Sequence, residues 1–273
     1  MGLRINTNVA AINASRVLRT STLALNKSLE RLSSGLRINR AADDAAGLAI
    51  AESLRSQVSG TQVAQRNAQD GISLVQTAEG ALTETTNALQ RMRELAVQAA
   101  NGTQSSTNRA SLNAEIVQLL EQIDDIALDT EFNGIGVLSA AQTITIQSGA
   151  YASQWLTIAV SGAKTSDLLI SQIFVSSYLG AVSAISTIDE ALKSVTSLRA
   201  LFGASQNRLE FTIRTLAIQE ENSSASESAI RDADIAKETI AFTRNQILVS
   251  AGTSVLAQAN IIPQTALQLL GGG

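Results

Sequence analysis

Several residue types that carry chemistry are missing from this chain. It contains no cysteine and no histidine. The first absence excludes disulfide bridges, thiolate metal sites and cysteine nucleophiles. The second removes the commonest general base, the commonest metal ligand and any Ser-His-Asp triad. We therefore expect neither an enzyme nor a protein that binds a metal or another cofactor.

Proline and aromatic residues are also scarce. The chain has one proline in 273 residues, and aromatics make up 3% of it although hydrophobic residues make up 45%. Because proline is the main helix breaker, we predict long uninterrupted helices. The apolar content is mostly Ala, Leu, Ile and Val, so these helices should pack closely rather than around large rings. The formal net charge of −4 argues against a nucleic-acid-binding protein, which is normally basic.

One uncharged segment is a candidate for a membrane-spanning helix. Residues 168–188, LLISQIFVSSYLGAVSAISTI, are long enough to cross a bilayer. The window holds five serines, a glutamine and a threonine, which favour a sheltered strand or loop that leads into a helix. We therefore expect no membrane insertion.

The two ends of the chain carry similar heptad stripes, which are typical of coiled coils. The stripes consist of Leu18, Leu25, Leu29 and Leu32 near the start, and of Ile235, Phe242, Val249 and Leu256 near the end. Stripes at both ends predict that the termini pair with each other. Neither stripe is pure leucine, so the pair should need further neighbours to be stable.

The middle of the sequence predicts helices on either side of a β-hairpin. Helical runs cover residues 44–130, with a break at Asn101-Gly102-Thr103, where Gly102 suits the left-handed residue that ends a helix. A further helical run covers residues 187–222. Between them, TITIQ and WLTIAV alternate and are rich in β-branched residues, which predicts a hairpin.

The predicted fold is therefore mainly α, a long antiparallel helical hairpin or coiled-coil rod with paired terminal helices and a small β-hairpin region. We predict two domains. Residues 1–42 with 232–273 form a terminal coiled-coil domain. Residues 43–231 form a helical rod domain, which includes a hairpin and turn region at 131–186.

The pair Asp43-Asp44 raises the question of catalysis. Two carboxylates can serve a glycosidase, but they must then face each other across a cleft, whereas adjacent residues at a helix start diverge. The helix-forming run AAGLAIAESL follows directly. We interpret one aspartate as the N-cap and the other as a first-turn acid that interacts with the positive helix end.

Other candidate motifs give no chemistry. We interpret Asp124-Asp125 and Glu220-Glu221 as solvated helix faces. The sequence GIG at 134–136 lacks the lysine and the flanking helix of a phosphate loop. The triplets that begin at Asn101 and Asn222 match the N-glycosylation acceptor, but such short triplets occur by chance.

Long segments at both ends resemble the bacterial flagellin family. Near the start these are LRINTNVAAINA and LSSGLRINRAADDAAGLAIAESLRSQ, and TEFNGIGVL resembles the segment after the third helix. Toward the end they are NRLEFTIRTLAIQEENSSASESAIRDADIAKET and ILVSAGTSVLAQANIIPQTALQLL. The resemblance covers residues 3–138 and 187–270 and implies a structural subunit that polymerises with its own copies into the extracellular flagellar filament, for swimming motility.

The resemblance also implies how the subunit is made and used. The family's outer domains are insertions for which this chain leaves no room, so it resembles a minimal flagellin. The family is exported unfolded and assembles at the filament tip, which implies an export chaperone, the cap and the hook-junction proteins as partners. The flagellin interpretation further predicts a monomer with disordered ends that polymerises when seeded.

A host Toll-like receptor reads a surface of this family that is centred on LQRMRELAVQ and the following helix. The matching residues are Gln90, Arg91, Leu95, Gln98, Leu112 and Glu115. The alternative role for them is lateral packing between subunits. The alternative function for the whole chain is a hook–filament junction protein, which usually has a proline after the double aspartate, where this chain has Ala45.

Overall fold

The computed structural model describes the backbone of residues 7–271 and the side chains of residues 7–261. The outermost parts of the predicted terminal domain lie outside these described residues. The helices and strands in chain order are α1 (Val9–Ser34), α2 (Ala45–Ala99), α3 (Ser106–Asp129), β1 (Glu131–Phe132), β2 (Ile135–Gly136), β3 (Gln142–Gln147), β4 (Trp155–Val160), α4 (Tyr178–Arg231) and α5 (Ile235–Gly271). The prediction of a mainly helical protein with a small β region is confirmed.

The chain divides into two compact units. The terminal unit consists of Met1–Ser56 with Asn222–Gly273, and the central unit consists of Gln57–Glu221. These boundaries fall inside the long helices α2 and α4, whereas the predicted domain boundaries fall at the helix breaks. The domain division proposed from the sequence stays a prediction.

In the terminal unit, α1 packs against α5. Near the start of α1, the Asn8 side-chain amide donates to the carbonyl of Ala259 at 2.8 Å. Near its end, Arg31 lies 3.5 Å from Glu238, at the start of α5. The helices therefore run antiparallel, and the predicted pairing of the terminal helices is confirmed.

The two helix breaks of the terminal unit are hydrogen-bonded to each other. Gly35 ends α1 in the left-handed conformation, with φ 73°, and its N–H donates to the carbonyl of Arg31. Its own carbonyl accepts from the N–H of Ala233 at 2.9 Å, and the N–H of Arg37 donates to the carbonyl of Arg231 at 2.7 Å. The linker between α1 and α2 is thus tied to the linker between α4 and α5.

The central unit has a core of aliphatic side chains from α2, α3, α4 and the hairpins. Its largest fully buried side chains are Leu82, Leu89, Met92, Leu95, Ile116, Ile123, Leu138, Ile158, Ile170, Ile188 and Phe202. One phenylalanine thus stands among aliphatic residues, as the low aromatic content predicted. Each such side chain contributes about 1.5–3 kcal/mol when it is fully buried.

Two short hairpins lie between α3 and α4. Strands β3 and β4 pair antiparallel from Gln142↔Val160 to Gln147↔Trp155, which confirms the predicted hairpin. Alternate residues of β4 are buried, as expected of a strand with one covered face. The hairpin of β1 and β2 was not predicted. Its signal is the pair Asn133-Gly134, whose positive φ values of 52° and 76° fit a tight two-residue turn.

The prediction for Gly102 is wrong, because this residue is not among those with positive φ. The break between α2 and α3 is closed by side chains instead. Asn101 Oδ1 accepts from the N–H of Thr103 at 3.2 Å. The guanidinium of Arg109, on α3, donates to the carbonyl of Ala99 at 2.8 Å and so satisfies the end of α2.

The acids at 124 and 220 are not simple solvated positions. Both carboxylate oxygens of Asp124 accept from Thr165, one from its N–H and one from its hydroxyl, each at 2.8 Å. This fastens the irregular segment 161–177 to α3. Glu220 accepts from Gln62 at 2.7 Å and from Gln65 at 2.9 Å. The interpretation as solvated faces is therefore wrong for these two residues, while Asp125 and Glu221 are exposed.

The uncharged window at 168–188 is an irregular segment followed by the start of α4, which begins earlier than the sequence predicted. Leu168, Ile170 and Val175 of the irregular part are buried. The N–H of Val175 donates to the side chain of Asn113, on α3, at 2.8 Å. Within the described part of the chain, no helix has the length and apolar character needed to cross a bilayer.

Candidate assembly and recognition surfaces

The contact between α1 and α5 is a heptad seam that contains both large and small side chains. On both helices, residues at alternating spacings of three and four are buried or half-buried. In chain order they are Ala11, Ala14, Leu18, Ser21, Leu25, Ser28 and Leu32 on α1, and Glu238, Phe242, Asn245, Val249, Gly252, Leu256 and Ala259 on α5. We call these residues the seam.

The small seam residues allow the two helices to approach closely. A Cβ added at Gly252 would lie 3.3 Å from Leu18 Cδ1, so the leucine of one helix packs over the glycine of the other. Ser21 and Ser28 are buried although serine is polar. Facing a large residue with a small one is how closely spaced helices fill their contact without voids.

The structure brings most of the predicted seam residues onto this contact. Leu18, Leu25 and Leu32 are half-buried on α1, and Phe242, Val249 and Leu256 are half-buried on α5. Leu29 and Ile235 lie off the contact and are 55% and 51% exposed. Sequence reasoning missed the small half of the seam, although Ser21 and Ser28 lie seven residues apart between the leucines.

The terminal unit also presents large apolar side chains away from the seam. More than two-fifths of the surface of each is exposed, and they include Val9, Ile12, Val17 and Leu23 on α1, and Ile240, Ile247, Val255 and Ile261 on α5. A helix that is apolar on several sides is typical of the interior of a larger body. An excess of exposed large apolar side chains on these two helices points to an interaction surface.

The loop before α2 explains the acid pair. Asp44 is the N-cap, because its Oδ1 accepts from the N–H of Gly47 at 2.8 Å. Asp43 is not in the first helical turn, contrary to our prediction. Its carboxylate lies 2.8 Å from Lys27 Nζ and accepts from the N–H groups of Arg40 and Asn39, at 3.2 Å each. These three interactions, that with Lys27 first, lower the pKa of Asp43 to about 2.

The residues that resemble a receptor-binding surface lie on α2 and α3 of the central unit. Arg91 is exposed and bonds Glu115 through two nitrogens, at 2.9 and 2.8 Å, and Glu94 at 3.1 Å. These carboxylates, Glu115 first, raise the pKa of Arg91. Gln90 and Gln98 are also exposed.

The two leucines predicted for this surface are placed differently. Leu95 is 1% exposed and belongs to the core, and Leu112 is half-buried against that core. Among the described residues, no three acidic side chains are grouped so that they could hold a metal ion.

These features define a class of protein. Paired terminal helices with a small-residue seam, apolar faces left uncovered and an aliphatic central unit characterise a helical structural subunit that assembles with others. Comparison with known proteins gives the family. "Bacterial flagellin N-terminal helical region" matches residues 5–143, and "Bacterial flagellin C-terminal helical region" matches residues 185–270. The chain belongs to the flagellin family, whose members are structural, non-enzymatic subunits of flagellar filaments.

Similar proteins match over nearly their whole length. A flagellin of Halalkalibacterium halodurans is 48% identical over 97% of this chain and 99% of its own. The flagellar filament 31.3 kDa core protein of Treponema maltophilum is 43% identical over the same shares of the two chains. A putative flagellar hook-associated protein of Vibrio parahaemolyticus has a similar fold, with 12% identity and a TM-score of 0.59 over 70% of this chain and all of that one.

The lowered pKa of Asp43 predicts an acid-sensitive contribution to stability. The pKa in the folded chain, about 2, lies below the ordinary value of 3.8. The contribution is therefore fully present above the ordinary value and is lost as the pH falls from there through about 2. We expect Asp43→Asn to lower the thermal unfolding temperature at neutral pH, as followed by circular dichroism. The difference from the native chain should shrink as the pH falls below 3.8 and disappear below about pH 2.

Asp44→Asn is the matched control, because asparagine and aspartate are comparable N-caps. It should leave the unfolding temperature at neutral pH nearly unchanged. An Asp43→Asn chain that unfolds like the native one throughout this pH range would contradict the assigned role of the Lys27–Asp43 pair.

Proposed function

We propose that this chain builds the filament through its terminal unit, and that copies of the same molecule cover the apolar side chains left exposed beside the seam. The observation that carries this is the apolar surface of α1 and α5. The seam occupies a single stripe on each helix, and residues such as Ile12 and Ile247 remain more than 60% exposed. Burying them is favourable at about 25 cal/mol per Å² of apolar area, so assembly completes the unit.

Within this proposal the two predicted domains have separate roles. Residues 1–42 with 232–273 form the coiled coil that lines the filament interior, and residues 43–231 form the rod that packs laterally. The assembled filament is extracellular and serves swimming motility. Support comes from the nearly full-length match to proteins named flagellin and flagellar filament core protein.

Seam variants test the assembly proposal. Leu25→Lys combined with Phe242→Lys places charges on the half-buried stripe, and each should cost about 2 kcal/mol or more. We expect the chain to keep the helices of the central unit, measured by circular dichroism. It should form no filaments after seeding, observed by electron microscopy.

The control is Leu25→Met with Phe242→Leu, which keeps both positions apolar and should still polymerise. Fibres of normal length from the lysine variant would show that the seam is not needed for assembly.

The proposal includes export of the unfolded chain and assembly at the filament tip, with a chaperone, the cap and the hook-junction proteins as partners. Its support is the family membership and a composition without cysteine and with one proline. Such a chain forms no disulfides and has few slow proline isomerisation steps. It can therefore be kept unfolded and can refold without those delays.

A fusion experiment tests this route. A rapidly folding domain fused to the chain should block its appearance in the medium, because a folded body cannot pass a channel sized for an unfolded chain. The same domain carrying destabilising core substitutions should be exported with the chain. Equal export of both fusions would refute transport in the unfolded state.

We also propose that the exposed polar residues around Arg91 are read by a Toll-like receptor of the host. The guanidinium of Arg91 is bound by Glu115 and Glu94. These two ion pairs fix its orientation before a partner binds. An exposed ion pair adds only about 0.2–1 kcal/mol to stability. The residue can therefore be changed without unfolding the protein.

Arg91→Ala should lower receptor activation by about tenfold, since one charge-assisted hydrogen bond contributes about 1.5–3 kcal/mol to binding. The measurement is a reporter-cell titration with purified monomer. Arg93→Ala is the matched control, because Arg93 forms a similar exposed pair with Asp189 at 2.7 Å. Equal losses in the two variants would argue against a specific surface at Arg91.

A hook–filament junction protein remains the second candidate. It shares the fold, and the similarity to the Vibrio parahaemolyticus protein extends to the fold alone. Ala45 follows the acid pair here and serves as the first residue of α2. Subunit copy number in isolated filaments separates the candidates, because a filament subunit is present in great excess over a junction protein.

A further inference from the structure

The break between α2 and α3 contains an Asn-Gly pair that is open to water. Asn101, Gly102 and Thr103 are all exposed. A Cβ added at Gly102 would meet no atom within 4 Å. The side of Gly102 on which a side chain would stand is therefore open, and no side chain of its own lies beside the Asn101 side chain.

Hydrogen bonds converge on both carbonyl groups of Asn101. Its backbone oxygen accepts from the N–H of Gln104 and from Arg109 Nη2, at 3.1 Å each. Its side-chain oxygen accepts from the N–H of Thr103 at 3.2 Å. The N–H of Gly102 donates to no group among the described residues.

These contacts activate the Gly102 nitrogen and the Asn101 side-chain carbonyl for reaction with each other. Two donors on the Asn101 backbone oxygen, one of them cationic, draw electrons from the Asn101–Gly102 peptide bond and make the Gly102 N–H a stronger acid. The Thr103 N–H polarises the side-chain carbonyl and stabilises the negative charge that develops on its oxygen during attack.

We infer that Asn101 is a site of spontaneous deamidation, with water as the only co-reactant. The Gly102 nitrogen gives its proton to water and forms a bond to Asn101 Cγ. The bond between Cγ and the side-chain nitrogen then breaks, and ammonia leaves with the proton. Water opens the resulting cyclic imide at either carbonyl, which yields aspartate or isoaspartate. One water is consumed and one ammonia released for each residue converted, without oxidation or reduction.

The second Asn-Gly pair of the chain provides an internal comparison. Asn133 and Gly134 form the turn between β1 and β2, with φ values of 52° and 76°. The strand pairs Phe132↔Ile135 and Glu131↔Gly136 hold this turn closed. No donor among the described residues reaches the Asn133 side chain. The same dipeptide therefore lacks the activating contacts here and cannot rearrange without opening the hairpin.

Both products change the end of α2. An aspartate at 101 places a negative charge beside the guanidinium of Arg109 and just beyond the carboxyl end of the helix, where negative charge is unfavourable. An isoaspartate also adds a methylene to the backbone. The loop that joins α2 to α3 would thus differ between newly made and aged subunits.

Mass spectrometry of the folded, full-length chain tests the inference. After incubation in mildly alkaline buffer, proteolytic peptides that contain Asn101 or Asn133 are compared for conversion to the acid. Buffer made with heavy-oxygen water labels the product oxygen. We expect Asn101 to convert about tenfold faster than Asn133, and Arg109→Gln to slow Asn101 about tenfold without altering Asn133.

Two controls keep the result specific to the fold. In denaturant, both Asn-Gly pairs should convert at similar rates, because the contacts are gone. Arg109→Lys keeps the cation and should retain more of the rate than Arg109→Gln. Equal rates for Asn101 and Asn133 in the folded chain, or an Asn101 rate that Arg109→Gln leaves unchanged or raises, would overturn the inference.

Discussion

The seam between α1 and α5 is the contact on which the rest of the terminal unit depends. Leu18 of one helix packs over Gly252 of the other, so the two helices lie close together at this point of the seam. The seam is a single stripe on each helix, and large apolar residues such as Ile12 and Ile247 stay exposed beside it. The seam therefore orders the two helices without saturating their apolar surface, and the surface left over is what a polymer of identical subunits can bury.

The fit of Leu18 over Gly252 also favours one register of the pair. Sliding α5 by one seam position, three or four residues, would bring a large residue in place of Gly252 onto Leu18, and overpacking a close contact costs about 1–3 kcal/mol. The hydrogen bonds from Ala233 to Gly35 and from Asn8 to Ala259 hold the two ends of the same register. Packing and polar contacts thus specify one alignment of helices whose stripes are too mixed to do so alone.

The sequence predicted those parts of the fold that follow from periodicity and composition. The heptad stripes predicted that the terminal helices pair, and the alternating β-branched residues predicted the hairpin of β3 and β4. The scarcity of proline predicted the long helices. Features that depend on residues far apart in the sequence could not be predicted from it. The carboxylate of Asp124 is bound by Thr165, and Asp43 is bound by Lys27, and neither pairing has a local signature. The turn at Asn133-Gly134 did have one and could have been predicted.

The two units are stabilised in different ways, and this separates folding from assembly. The central unit buries its own aliphatic core. The hydrogen bond from the Thr165 N–H to Asp124 holds the irregular segment 161–177 on α3. Its exposed ion pairs, such as Arg93 with Asp189, add little to stability, so its surface can vary or be recognised without unfolding it. The terminal unit has no comparable core among its described residues, where Ile38 is the large side chain that is fully buried. Under the proposed assembly, neighbouring copies would supply most of the free energy that stabilises this unit. The driving force of the proposed polymerisation would then be concentrated in α1 and α5, the helices with the largest share of exposed large apolar side chains among the described residues.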